Sequence, residues 1–119
     1  MGSVMIRLIW SIVLGTFFWL PTICMAAVQG EYTIVIKDHK FEPEQLTIPA
    51  NQKVKLVIDN QDSTPEEFES HDLKREKIIQ GNSQGTVMVG PLTPGAYHFV
   101  GEFHEDTAKG VMIVEQKEE

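Results

Sequence analysis

The 119 residues carry 17 acidic against 10 basic side chains, a formal charge of −7, and a surface of that sign repels nucleic acid. One cysteine excludes a disulfide within the chain, and a hydrophobic fraction of 42% supplies one modest core rather than several domains.

In chain order, the opening segment reads as an export signal. Met1 to Arg7 brings one positive charge, an apolar run extends from Leu8 to Ile23, and Cys24-Met25-Ala26 closes it with a small-x-small pattern. Gly15 and Pro21 interrupt the run, which falls short of the roughly 20 apolar residues of a spanning helix. The expectation is a cleavable signal peptide over residues 1–26, a single domain over residues 27–119, and a periplasmic location. Cys24 leaves with the signal, so the mature domain has no thiolate for metal ligation or nucleophilic attack.

Beyond residue 26 the apolar period is close to two, with β-branched residues in the runs and Pro, Gly, Asn or Asp between them. Strands are expected at Tyr32 to Ile36, Glu44 to Ile48, Val54 to Ile58, Glu66 to Ser70, Lys77 to Gln80, Thr86 to Val89, Ala96 to Gly101 and Val111 to Glu115. Breakers such as Asp59-Asn60-Gln61-Asp62, Gly81-Asn82 and Pro94-Gly95 punctuate them. His71 to Lys77 is polar and has room for one turn of helix. The pattern predicts an all-β, antiparallel Greek-key β-sandwich of about eight strands, with a charged tail, Glu115 to Glu119, that frays.

Two segments concentrate metal-ligand side chains. Glu66-Glu67-Phe68-Glu69-Ser70-His71 is one, and Glu102-Phe103-His104-Glu105-Asp106, between the last two strands, is the other. Loops of a sandwich gather at its ends, so the two can meet at one pole. Strand alternation puts Glu67 and Glu69 on one face and Phe68 on the other, and a carboxylate turned inward needs a cation or a donor. The candidate ligands are Glu67 and His104 as the core pair, then Glu69, Glu102 and His71. The bland alternative is a solvated edge strand whose charges block pairing with another chain. His39 and His98 read as outward positions, and Met88 and Met112 as strand residues of the core. No serine has a histidine and an acid placed by a hydrolase motif.

Tyr97-His98-Phe99-Val100-Gly101-Glu102-Phe103-His104, followed by Gly110-Val111-Met112-Ile113-Val114, resembles the end of a cupredoxin. In the blue copper members of that family an aromatic strand leads to a cysteine ligand, a histidine three residues on, and a last strand. His104 matches the histidine, whereas Gly101 stands in the cysteine's place. Lys37-Asp38-His39-Lys40-Phe41-Glu42-Pro43 and Glu67-Phe68-Glu69 are similar to segments of the EfeO-type cupredoxin-like domain and of the cupredoxin-like subunit of bacterial ferrous-iron transport systems. The resemblance implies iron or copper as the bound ion, and an inner-membrane iron permease and other periplasmic iron-uptake proteins as partners. It leaves two alternatives: a metal-free accessory subunit that acts through protein contacts, and a ferroxidase, which without a thiolate would need a redox partner.

Overall fold

The computed structural model describes Gly2, Gly15, Thr16 and residues 27–117, so the expected signal peptide and the last two residues of the tail lie almost wholly outside the described residues. Nine strands form two layers: β1 (Glu31–Lys37), β2 (Lys40–Glu42), β3 (Gln45–Pro49), β4 (Val54–Asn60), β5 (Glu66–Ser70), β6 (Arg75–Ile79), β7 (Ser83–Val89), β8 (Gly95–Gly101) and β9 (Lys109–Glu115). One sheet has the order β2-β1-β4-β7 and the other β3-β9-β8-β5-β6. A 3-10 turn, Glu102–His104, sits between β8 and β9.

Alternation generates the layers. Ile34 and Ile36 of β1, Val54, Leu56 and Ile58 of β4, and Val87 and Val89 of β7 point into the space between the sheets, facing Ile48, Phe68, Phe99, Met112 and Val114. Phe41, Phe68 and Phe99 meet at its centre with ring centroids 5.0, 5.1 and 6.3 Å apart. Each buried ring contributes roughly 1.5–3 kcal/mol of hydrophobic stabilisation. Gly110 of β9 lies so close under the Phe99 ring that an added Cβ would come within 2.3 Å of it.

The structure differs from the sequence expectation in three places. β2 is an extra strand, three residues long, too short to show a period, and held by its one buried side chain, Phe41. Two pairings are parallel, β1 with β4 and β3 with β9, because the chain leaves one sheet after β2 and enters the other at β3. His71 to Lys77 forms no helix: His71–Lys74 is a turn, and β6 begins at Arg75.

The pole that matters for function is built by polar contacts. Asn60 is fully buried at the end of β4, and its Nδ2 donates to the carbonyls of Thr64, Ile79 and Gln80 while its Oδ1 accepts from Asp62 N. Asp62 in turn accepts from the backbone N–H groups of Asp38 and His39 at 2.8 and 3.0 Å. Those two residues form the tight β1–β2 turn, both with positive φ (53° and 56°), which a short polar Asp tolerates best. Burial alone would raise the Asp62 carboxyl, but the two N–H donors and the nearby imidazoles of His39 and His104 hold it below the usual carboxylate range.

Candidate metal centre

β5 carries three acids with two orientations. Glu66, Phe68 and Ser70 face the core, and Glu67 and Glu69 take the opposite face of the sheet, where Glu67 is still buried and Glu69 is half-buried. Antiparallel register sets Ile78 opposite Glu67 and Glu76 opposite Glu69 on β6, and pairs Phe68 with Gly101 on β8. The chain past Gly101 therefore runs beside Glu66 and Glu67, and the 3-10 turn sends Glu102 to the outer face and His104 to the inner one.

On the outer face Glu67, Glu76 and Glu102 each offer a carboxylate oxygen, all within 4.8 Å of one another. A shared hydrogen bond with Glu76, burial, and the charge and hydrogen bonding of Glu102 push the Glu67 carboxyl up to about 7. The neighbouring Glu69 is raised as well, by its hydrogen bond to Glu102, by burial, and by the charges of Glu102, Glu76 and Glu105. Such an acid favours the folded state when protonated. Its contribution is complete below the unfolded value near 4.5 and is lost as pH rises through about 7. Thermal stability is thus expected to fall across that interval, and Glu67→Gln to flatten the fall. An unaltered slope of melting temperature against pH in that variant would contradict this account.

On the inner face Glu66, 1% exposed, has every oxygen engaged. Oε1 accepts from Phe103 N at 2.9 Å and from Glu67 N at 3.2 Å, and Oε2 accepts from His104 Nδ1 in a close ion pair. The His39 ring lies flat on the His104 ring, centroids 3.5 Å apart and planes 11° from parallel. Gly101 has ordinary extended geometry, φ −91°, so its lack of a side chain reflects space rather than conformation. A Cβ there would stand 2.7 Å from the Ala108 Cβ and 2.8 Å from the Glu66 Cδ.

The sequence-based core pair of Glu67 with His104 is accordingly divided. His104 goes to Glu66, and Glu67 joins Glu102 and Glu76, because consecutive strand residues point to opposite faces. Glu69 lies beside the outer group, and His71 sits exposed in the turn after β5, along a shallow depression with Glu69, Asp72 and His98. Three residues escaped sequence reasoning. Glu66 was legible, since it stands two positions before the core residue Phe68; Glu76 required the β5–β6 register; nothing local marked His39. A thiolate-dependent blue-copper centre does not fit these residues: position 101 is glycine, no cysteine occurs among the described residues, and the Glu66 carboxyl occupies the adjoining volume.

Comparison with known proteins agrees with the fold. The chain is 50% identical over 84 residues to an uncharacterized protein of Rickettsia prowazekii (strain Madrid E), a match covering 71% of this chain and 67% of that one. Three solved structures share the fold at low identity. An apo copper binding protein gives a TM-score of 0.63 at 19% identity over 76% of this chain and 100% of its own. Auracyanin B gives 0.65 at 15% over 75% and 91%. The metal binding domain of the Streptococcus pneumoniae D39 Cu(I) exporting P-type ATPase gives 0.62 at 11% over 77% and 99%. A family model described as the cupredoxin-like domain matches residues 10–114, nearly the whole sandwich included, and the chain belongs to that family.

Proposed function

We propose that this protein is a periplasmic metal-handling cupredoxin that binds iron or Cu(II) as cargo and passes it to an inner-membrane iron permease. The observation that carries the reading is the convergence of Glu67, Glu76 and Glu102 within 4.8 Å. Three carboxylates at that separation repel one another, and a cation removes the repulsion. Oxygen donors suit iron and Cu(II) better than soft, thiolate-seeking ions. Glu69 borders the group and His71 follows in the turn after β5, so both can add a donor at the rim. Two structural relatives, a copper binding protein and a Cu(I)-bound domain, support metal handling on this fold. The export-signal reading of residues 1–26 supports the location, and the EfeO-type resemblance supports iron as cargo and the permease as partner.

Calorimetric titration of the purified protein with ferrous iron and with Cu(II) tests the site. Affinity in oxygen sites follows the number of charged ligands, so the Glu67→Gln/Glu102→Gln double variant should bind about a hundredfold more weakly. Equal affinity in parent and double variant would rule the assignment out. One observation favours a second reading, a metal-free accessory subunit: Ile78 and Phe103, 51% and 48% exposed, lie on the elements that carry the acids. On that reading neither ion binds, and Ile78→Ser/Phe103→Ser, rather than the glutamate changes, abolishes association with the permease.

A further inference from the structure

We infer that at the inner pole a carboxylate stands where a metal would have to reach His104 Nδ1: Glu66 ties β5 to the 3-10 turn, lies beside Gly101, and keeps metal off that ring nitrogen. The inference does not rest on the outer-face reading, and it holds whether or not a cation binds at Glu67.

Three observations carry it. Both Glu66 oxygens are committed to protein donors from the far segment, Phe103 N and His104 Nδ1, and Oε1 takes Glu67 N besides. A metal could reach His104 Nδ1 only by displacing that carboxylate, which sits on the ring nitrogen from a buried strand position. Second, the space is closed. A Cβ at position 101 would stand 2.7 Å from the Ala108 Cβ and 2.8–2.9 Å from the Glu66 carboxyl, so a side chain there collides with the carboxylate while Glu66 remains. Third, the inner carboxylate has an imidazole partner, and the outer carboxylates have only one another. No buried side-chain nitrogen or oxygen among the described residues lacks a partner, and the ion pairs among them are Glu66 with His104 and Lys55 with Glu31. The Glu67, Glu76 and Glu102 carboxylates therefore have no Lys, Arg or His partner at ion-pair distance among the described residues, whereas Glu66 has the His104 imidazole. A metal offered to this molecule meets one site that is complete and one that is short of positive charge.

The pole can be tested by loading and by conversion. In the parent protein, Zn(II), which prefers imidazole nitrogen, should leave His104 Nδ1 without the shift of a metal-bound nitrogen in histidine-selective NMR at one equivalent. Conversion should then open the position: Glu66→His with Gly101→Cys, together with His104, supplies the two imidazoles and one thiolate of a blue-copper centre. With Cu(II) this pair of changes should give an intense visible thiolate-to-copper band. Gly101→Cys alone, with Glu66 still in place, should give at most about a tenth of it. A His104 Nδ1 that takes on the shift of a metal-bound nitrogen with Zn(II) in the parent, or a band of equal strength in Gly101→Cys alone, overturns the inference. The parent measurement decides even if the double variant does not fold.

Discussion

Glu66→Ala should destabilise the domain by about 3 kcal/mol, the low end of what removal of one partner of a buried ion pair costs. The low end applies because the His104 side chain is 27% exposed, so water can solvate the imidazole that is left behind. The N–H groups of Phe103 and Glu67 lose their acceptor in the same change, and an orphaned buried donor costs about 1–3 kcal/mol. For a domain of this size the loss corresponds to a fall in melting temperature on the order of 15 °C, readable by circular dichroism. Glu66→Gln retains one acceptor oxygen and the side-chain volume, so about half of the loss is expected. The opposite ranking, or a loss below about 1 kcal/mol in Glu66→Ala, would mean that the turn is held by its own backbone bonds, such as Ala108 N to His104 O at 2.8 Å. Local consequences follow too. Glu102 is carried by the clamped turn, so the outer carboxylate group should loosen with the clamp, and the Glu67 carboxyl should titrate lower in Glu66→Ala than in the parent.

How much of this was legible in the sequence depends on distance along the chain. Strand positions come from alternation over five to seven residues, so β1, β4, β5 and β9 stand close to where the pattern puts them, β5 at Glu66–Ser70 in particular. β7 starts three residues before Thr86, at Ser83, because Ser83, Gln84 and Gly85 carry no apolar signal and become strand only by pairing with Asn60, Asp59 and Ile58. β2 shows no period at all. For the candidate site, alternation correctly separated Glu67 and Glu69 from Phe68, and the same rule, carried one residue back, assigns Glu66 to the core. What alternation cannot give is the identity of a partner 38 residues away, which is the separation of Glu66 and His104. The stack of His39 on His104 is more remote still, and depends on a two-residue turn pinned by Asp62.

Gly101→Ala is the sharpest single-methyl test of the packed pole. The backbone at 101 accepts any residue, so the whole penalty is steric: one Cβ placed 2.7 Å from the Ala108 Cβ and 2.8–2.9 Å from the Glu66 carboxyl. Overpacking of a closed site costs about 1–3 kcal/mol, and contact with both a backbone-bonded carboxylate and a buried methyl puts the expectation near the top of that range. The cost should not add to that of Glu66→Ala. Once the carboxyl is gone the new methyl loses two of its three nearest contacts and keeps that with Ala108, so the double variant should be more stable than the two separate losses predict, by about 1–2 kcal/mol of coupling. Additive losses in denaturant titrations of the four proteins would show that Glu66 does not define the space at position 101. Coupling of the expected sign would show that the absence of a side chain at Gly101 and the presence of a carboxylate at Glu66 form one arrangement, in which neither residue can change alone without cost.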